Sequence, residues 1–234
     1  MVEDRYAVSG NPSRPVMAKP VPFRDPVGST QHPGTPTPVT GVVLAGGLGR
    51  RMGNVDKGLQ LLEGSPLIAW ILQRLAPQVG EVLINANRNR DVYAAFGHRV
   101  VEDRIGGFAG PLAGMHAGLS EAKYERVAFV PCDTPFLPED LVSRLLAPLK
   151  DESVDLSVAK TGTQPHPVIC LTRKRLLPHL TAYLDGGGRK VDGWYSTLNV
   201  TEVAFDDQPR AFSNINTPEE LKAIESTVYR RDAQ

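Results

Sequence analysis

The stretch from Gly41 to Gly58, GVVLAGGLGRRMGNVDKG, decides the fold class. Its apolar beginning, within TGVVLAG, is typical of a buried strand in a parallel sheet. The strand leads directly into a glycine turn, then a pair of arginines, then Lys57. Glycines let backbone N–H groups approach an anion closely, and the three cations add positive charge. The stretch therefore predicts a polyphosphate-binding loop after the first strand of an α/β sheet.

Two common phosphate-binding motifs do not fit this loop. A Walker A loop needs a lysine directly after a glycine, whereas Lys57 follows Asp56. The dinucleotide fingerprint G-x-G-x-x-G, started at Gly47, has Met52 in place of its last glycine. A plain strand-to-helix turn with two solvated arginines is the alternative, and the presence of three cations in one loop makes it the weaker one.

The composition narrows the function classes. The chain has 234 residues with 26 basic and 26 acidic side chains, so no general positive field favours nucleic acid or an anionic membrane. The longest apolar stretches are too short to span a membrane, and MVEDRYAVSG has no apolar core of the kind that secretory signals contain. We therefore expect a cytoplasmic protein with no nucleic-acid and no membrane partner.

The chain divides into two parts by pattern. Residues 1–39 are rich in proline and lack periodicity, which predicts a flexible extension. From Thr40 onward strand patterns alternate with helix patterns, which predicts one folded domain over residues 40–234. The expected architecture is a Rossmann-like three-layer sandwich, with helices on both faces of a mostly parallel sheet. Ligands of such sheets bind at the carboxyl ends of the strands.

Three local predictions concern the ends of elements. Ser65 is expected to cap the helix SPLIAWILQRLAPQ, with Pro66 in its first turn. The stretch AFSNIN is expected to form a short strand. Thr217 is expected to cap a last helix, TPEELKAIESTVYR.

The loop sequence LAGGLGRRMGNVDKG resembles the signature L-A-G-G-x-x-R-R-M-G-x-x-D-K of the molybdenum cofactor guanylyltransferases. The resemblance runs from Gly41 to about Leu221 and leaves residues 1–39 without a counterpart. It implies the fold of the nucleotide-diphospho-sugar transferases and transfer of GMP from GTP to molybdopterin, with release of pyrophosphate. Further matching motifs follow in the family's order: INANR (84–88), VVEDRIGGFAGPLAGM (100–115), FVPCDTPFLPEDL (129–141), HPVICL (166–171) and NINTPEEL (214–221).

The resemblance also implies which residues act. A phosphate nucleophile is already an anion, so catalysis is expected to be charge neutralisation and in-line positioning. Asp133 directly follows a buried strand and, by resemblance, binds Mg²⁺. Taken alone, the residue would fit a helix cap or turn aspartate better, and the motif reverses that preference. The implied catalytic residues are Arg51, Lys57 and Asp133. The implied GTP-binding residues are Leu44, Ala45, Gly46, Gly47, Lys57, Asn85, Asp103 and Asp133. Asn87, beside Asn85, is nearly as well explained as a turn residue.

Molybdopterin is expected to meet the carboxyl-terminal third of the chain. Arg189 and Lys190 follow three glycines and suit a pterin phosphate, although a solvated basic turn explains them as well. Asn214 and Asn216 could instead close the turn before the last helix. His166 could instead be a surface histidine at the end of a strand. The implied molybdopterin-binding residues are His166, Arg189, Lys190, Asn214 and Asn216. The sequence leaves open a further partner, either a protein that delivers the cofactor or a molybdoenzyme that accepts it.

Three other functions stay open at this point. Molybdopterin cytidylyltransferases resemble this family but usually carry L-A-A-G, and Gly46 in place of that alanine leaves room for a purine. Sugar-1-phosphate nucleotidyltransferases usually begin with G-x-G-T-R, which this chain lacks. A non-catalytic nucleotide-binding module is the alternative from a different class, and the charged residues Lys57, Asp103 and Asp133 argue against it.

Overall fold

The computed structural model describes residues 38–47, 56–106 and 110–215. The strands, in chain order, are β1 (Val39–Leu44), β2 (Leu61–Leu62), β3 (Ser65–Pro66), β4 (Glu81–Asn85), β5 (Arg99–Val101), β6 (Arg126–Pro131), β7 (Leu156–Thr161), β8 (Gln164–Arg173) and β9 (Val200–Ala204). The α-helices are α1 (Leu67–Leu75), α2 (Arg90–Ala94), α3 (Pro111–Glu121), α4 (Leu141–Leu146), α5 (Leu177–Asp185) and α6 (Val191–Tyr195). Among the described residues, no helix is long and apolar enough to cross a membrane.

The main sheet has the order β5–β4–β1–β6–β8–β7–β9. Strand β1 pairs in parallel with β4 on one side and β6 on the other, so that Val42 lies between Leu83 and Phe129. Strand β8 runs antiparallel to both β6 and β7, and β9 is again parallel to β7. The carboxyl ends of β1, β4, β5 and β6 therefore share one edge of the sheet with the beginning of β8.

Helices cover both faces of this sheet, as the sequence predicted. Successive residues of β1 face opposite sides of the sheet. Val43 belongs to the core cluster that includes residues of α1 and α4, and Val42 belongs to the one that includes residues of α3 and α5. Both valines are fully buried, which explains why β1 reads as a continuous apolar run. Burial of each such side chain stabilises the fold by about 1.5–3 kcal/mol. The three-layer α/β architecture is confirmed.

The predicted cap of α1 is wrong. Ser65 and Pro66 form β3, which pairs with β2 in a small hairpin, and the helix begins at Leu67. The N–H of Leu67 donates to the carbonyl of Gln60 at 2.8 Å. Pro66 occupies the N-cap position and makes no side-chain capping bond, and the hairpin satisfies this first helical N–H group instead.

The predicted strand AFSNIN is also wrong over its described part, residues 211–215, which are turn and irregular structure. Phe212 is buried against Phe205, with the ring centroids 5.2 Å apart and the planes at 89°. The apolar residues of this segment are thus buried as side chains of a loop and do not pair as a strand. Helix α6, which was not predicted, is fixed to the core by the fully buried Trp194.

Two predictions fall largely outside the described residues. The helix expected from Thr217 onward lies beyond residue 215. The extension expected over residues 1–39 lies outside them up to residue 37, and β1 begins at the buried Val39.

Candidate functional site

The predicted nucleotide residues gather at the carboxyl edge of the parallel strands. Backbone hydrogen bonds continue past the strand ends, from Ala45 N to Asn85 O at 2.8 Å and from Cys132 N to Leu44 O at 3.1 Å. These bonds hold the residues after β1, β4 and β6 side by side. The loops that follow these strands therefore start from a fixed framework.

An ion pair occupies one side of this edge. The Lys57 ammonium lies 3.0 Å from Oδ2 of Asp133, and the two side chains are 26% and 13% exposed. The pair is partly shielded from water, so salt screens it less than a surface pair. The neighbouring Cys132 is buried, and burial, with the charges of Asp133 and Asp56 beside it, raises the pKa of its thiol. That thiol is therefore protonated and unreactive.

A second cluster holds the carboxylate of Asp103 from both sides. Asn85, which is 2% exposed, donates from Nδ2 to Oδ1 of Asp103 at 2.8 Å. Asn87 donates from Nδ2 to Oδ2 of the same carboxylate at 2.8 Å and accepts from the Asp103 N–H at 2.9 Å. Each carboxylate oxygen retains acceptor capacity for a ligand. The carboxylate is thus fixed in orientation before any ligand arrives.

Two glycines make this cluster possible. A Cβ at Gly46 would lie 2.9 Å from Nδ2 of Asn87 and 3.0 Å from Oδ1 of Asn85. A Cβ at Gly114 of α3 would overlap Asn85 Oδ1 and lie 2.8 Å from Cδ2 of Leu44. Gly46 therefore makes room for two asparagines of the protein itself. Its expected effect on the choice of base stays a prediction.

A polar cleft opens between the end of β1 and the loop after β4. The residues that line it are Ala45, Gly46, Gly47, Asp56, Asn87, Arg88 and Asn89. Several of its walls are backbone and amide groups, which can donate and accept hydrogen bonds together. This chemistry suits a nucleotide better than an apolar ligand.

Asn214 approaches the ion pair from the carboxyl-terminal side of the chain. The Thr134 hydroxyl donates to Oδ1 of Asn214 at 3.0 Å, and Ile215 N donates to the carbonyl of Asp133 at 2.9 Å. The segment that was predicted to be a strand is therefore attached to the loop after β6.

His166 lies at the beginning of β8, on the same edge of the sheet. Its Nε2 forms a 2.9 Å hydrogen bond with the Thr161 hydroxyl, and its ring lies 4.8 Å from that of Phe212. Burial lowers the pKa of His166, so the ring is neutral at pH 7. Through Phe212, His166 is connected to the segment that carries Asn214.

Arg189 and Lys190 form no described contact with Asp133. Arg189 donates to the carbonyls of Leu184 and Gly188, at 2.7 and 2.6 Å, and so caps the carboxyl end of α5. Lys190 is exposed, and its carbonyl accepts a hydrogen bond from Tyr183. Two further predicted residues, Arg51 and Asn216, lie outside the described residues.

The sequence did not assign four polar residues that the structure brings to this edge. Asn87 holds Asp103, as described above. The other three belong to one group, in which Tyr93 and Asn89 donate to the carboxylate of Asp56. Only their positions in the sequence could have indicated a role: Asp56 directly precedes Lys57, and the other three follow β4.

The fold has close counterparts among solved structures. Molybdopterin-guanine dinucleotide biosynthesis protein A from Archaeoglobus fulgidus is similar with a TM-score of 0.68 and 24% identity, over 82% of this chain and 99% of that one. A nucleotidyl transferase from Methanothermobacter thermautotroptrophicus has a TM-score of 0.64 and 19% identity, over 82% and 98% of the two chains. At these identities, the similarity establishes the fold.

The sequence relatives establish the family. The model of the MobA-like NTP transferase domain matches residues 41–198. The molybdenum cofactor guanylyltransferase of Shewanella sediminis (strain HAW-EB3) is 45% identical over 192 residues, which are 82% of this chain and 98% of that protein. That of Shewanella putrefaciens (strain CN-32 / ATCC BAA-453) is 48% identical over 185 residues, 79% and 95% of the two chains. The chain therefore belongs to the molybdenum cofactor guanylyltransferases, a family of nucleotidyltransferase enzymes with a MobA-like NTP transferase domain.

Proposed function

We propose that this enzyme transfers GMP from GTP to a phosphate of molybdopterin and releases pyrophosphate. The observation that carries the proposal is that the Lys57–Asp133 ion pair and the amide-held carboxylate of Asp103 lie at the same edge of the sheet. The Lys57–Asp133 pair is suited to a polyphosphate and its counter-ion. The carboxylate of Asp103 is suited to the hydrogen-bonding groups of a nucleoside. The name of the relatives, molybdenum cofactor guanylyltransferase, supports this choice of substrates.

The nucleoside end of GTP is proposed to bind at Asp103 and at the end of β1. A carboxylate fixed by Asn85 and Asn87 accepts hydrogen bonds from ribose hydroxyls or from a base without first having to reorient. After Leu44, the chain lines the cleft at Ala45, Gly46 and Gly47, and the half-buried Gly46 and exposed Gly47 offer backbone groups to the same ligand.

The reacting end of GTP is proposed to bind at Lys57. The attacking phosphate of molybdopterin needs no general base, because it is already an anion. The enzyme must instead neutralise charge on the triphosphate and hold the attacking and leaving oxygens in line with the α-phosphorus. Lys57 supplies one positive charge at the described edge, and Arg51 is proposed to supply another.

Asp133 is proposed to hold Mg²⁺ at this edge. Its donor set fits, because Mg²⁺ commonly takes one or two protein carboxylates and completes its shell with phosphate oxygens and water. The described residues contain no cluster of three His, Cys, Asp or Glu side chains, so substrate phosphates would supply the other ligands. When bound, Mg²⁺ supplies positive charge to the triphosphate. Asp133 orients that charge, and the Lys57 ammonium, 3.0 Å from Oδ2, holds the carboxylate in place.

Molybdopterin is proposed to bind on the carboxyl-terminal side of the ion pair. The contact between Thr134 and Asn214 supports this side, and His166 follows through Phe212. Asn216 belongs to the same proposal. Support for Arg189 and Lys190 is weaker, since the Arg189 guanidinium already caps α5.

The test is the Asp133→Asn variant, assayed for pyrophosphate release from GTP in the presence of molybdopterin and Mg²⁺. We expect turnover to fall by roughly 10²-fold or more, as is usual when a charge-stabilising group is lost. Glu202→Gln is the matched control, because it makes the same charge change in an ion pair on the distant strand β9. Turnover near wild type in Asp133→Asn would remove this carboxylate from the mechanism.

The choice of nucleotide is tested separately by calorimetry with GTP and CTP, each with and without Mg²⁺. Tight, Mg²⁺-dependent binding of GTP alone supports guanylyl transfer. A preference for CTP would contradict the base assignment while leaving the phosphate chemistry in place.

A further inference from the structure

Asp56, the residue before Lys57, directs its carboxylate away from its own helical turn. It precedes the short 3-10 helix Lys57–Leu59 but makes no side-chain capping bond there. Its Oδ1 accepts a hydrogen bond from the Tyr93 hydroxyl, and its Oδ2 accepts one from Nδ2 of Asn89 at 3.0 Å. The backbone at Lys57 is thereby tied to the loop after β4 and to α2, more than thirty residues away.

The Tyr93 hydroxyl also touches the residue on the other side of Lys57. A Cβ added at Gly58 would lie 2.5 Å from the Tyr93 hydroxyl oxygen and 3.4 Å from Cβ of Cys132. Gly58 adjoins Lys57, and Cys132 adjoins Asp133. The Tyr93 hydroxyl is therefore next to Gly58, and Gly58 in turn lies close to Cys132, so the residues that adjoin Lys57 and Asp133 meet at this point.

The two donors to Asp56 are themselves held rigidly. Tyr93 is fully buried, and burial, followed by its bond to Asp56, raises the pKa of its hydroxyl, which therefore stays a donor. Asn89 has left-handed backbone angles (φ 51°, ψ 32°), a conformation that asparagine tolerates better than most residues. Its carbonyl accepts from Tyr93 N at 3.0 Å, so the two donors also fix each other.

We propose that Asp56, Tyr93 and Asn89 form a latch that positions Lys57 against Asp133. The inference rests on the proposed function, in which this ion pair serves the triphosphate. A lysine ammonium sits on a flexible four-carbon stem, so a fixed backbone limits where it can reach. Gly58 fits under the Tyr93 hydroxyl because it lacks a side chain.

Direct contact between Asp56 and the substrate is the competing role, because Asp56 also lines the cleft. The Tyr93 hydroxyl that donates to Asp56 also lies next to Gly58, on the other side of Lys57, which favours positioning. The Tyr93 hydroxyl separates the two roles. A Tyr93→Phe variant loosens Lys57 if Asp56 acts by positioning, and leaves Lys57 undisturbed if Asp56 acts only on the ligand.

The experiment measures the rate at which acetic anhydride acetylates Lys57, by mass spectrometry, in the protein without nucleotide. Only the neutral amine attacks acetic anhydride, with acetate as the leaving group, so an ammonium held against a carboxylate must first leave it and lose a proton to solvent. We expect labelling of Lys57 to rise roughly threefold in Tyr93→Phe and Asp56→Ala, the size appropriate to a partly exposed ion pair. Lys160, paired with Glu202 at 2.9 Å, is the internal reference. Each variant is labelled well below its own Tm.

Tyr195→Phe is the matched control, because it removes a tyrosine hydroxyl that donates to Pro167 O elsewhere in the fold. Selective acceleration at Lys57 in the two latch variants, absent from Tyr195→Phe, supports the latch. An unchanged Lys57 rate overturns it, and so does equal acceleration at Lys160, which would show general loosening.

Turnover provides a second reading. In Tyr93→Phe we expect kcat for pyrophosphate release to fall about tenfold with little change in the KM for GTP, as for an interaction that matters most in the transition state. If the wild-type protein shows no GMP transfer, the proposed function fails, and the labelling rates still decide whether the latch exists.

Discussion

The Gly46→Ala substitution tests why a glycine ends the first strand. The added methyl would lie 2.9 Å from Nδ2 of Asn87 and 3.0 Å from Oδ1 of Asn85. Ordinary contacts of a Cβ are 3.4–4 Å, so the two amides must each move by about half an ångström. We expect this displacement to disturb the carboxylate of Asp103, which both amides hold.

The size of the effect follows from the hydrogen bonds at risk. Asn87 donates to Asp103 at 2.8 Å and accepts from its N–H at 2.9 Å, and Asn85 donates at 2.8 Å. A hydrogen bond to a charged group contributes about 1.5–3 kcal/mol, and an exposed one less. Since the bonds are stretched and not abolished, we expect a loss of about 1–2 kcal/mol in nucleotide binding. That corresponds to a roughly 5- to 30-fold weaker Kd.

The assay is calorimetric titration of wild type and variants with GTP and with CTP in the presence of Mg²⁺. Gly47→Ala is the matched control, because a Cβ at Gly47 meets no heavy atom of the described residues within 4 Å. Weaker binding of both nucleotides in Gly46→Ala, larger than in Gly47→Ala, supports displacement of the asparagines. An unchanged affinity for GTP would refute it. A gain in CTP binding at the expense of GTP would show instead that Gly46 acts on the base.

Three further predictions concern stability. Arg173 is 2% exposed and donates to three backbone carbonyls, so Arg173→Met should lower the stability by about 3 kcal/mol, or roughly 6–12 °C in Tm by calorimetry; an unchanged Tm would contradict this. Burial, followed by the charge of Arg104, lowers the pKa of His116 from 6.5. Below about pH 6.5 the unfolded chain therefore binds a proton that the folded one does not, and stability falls as the pH falls. Urea unfolding of His116→Gln should show a shallower pH dependence than wild type, and an identical one would exclude His116 as a source. Removing residues 1–37 should leave Tm nearly unchanged, whereas a deletion that includes the buried Val39 should lower it.

Most of the architecture could be predicted from the sequence, because its determinants are local. Strands buried on both faces read as apolar runs, and helices read as the 3.6-residue period, so the alternation between them indicated the sheet and its two covering layers. The failures lie where tertiary contacts override local patterns. The N–H of Leu67 is satisfied by Gln60 across a hairpin, which no capping rule for Ser65 anticipates. Phe212 is buried against Phe205, which an apolar pattern cannot distinguish from strand pairing.

The charged residues of the candidate site could be predicted from the sequence, but the residues that hold them in place, which we call its supports, could not. Lys57, Asp103 and Asp133 stand in motifs that resemble those of a family, and the structure brings them to one edge of the sheet. Asn87 looks like a turn residue in the sequence, because only the fold shows that Asp103 lies beside it. Tyr93 looks like an ordinary apolar residue of a short helix, since its use of a hydroxyl depends on a partner far away in the chain.

The supports Asn87 and Tyr93 share a chemical property that distinguishes them from the charged motif residues. Asn87 and Tyr93 each direct a neutral donor at a carboxylate, and each donor comes from a different segment of the chain than its acceptor. A neutral donor fixes the orientation of a carboxylate without cancelling its charge, whereas a lysine in its place would neutralise it. Loss of such a donor should therefore weaken orientation more than charge. Loss of the Tyr93 donor, which supports Lys57, should act first on kcat, whereas loss of the Asn87 donor, which supports Asp103 where the nucleoside is proposed to bind, should act first on nucleotide affinity.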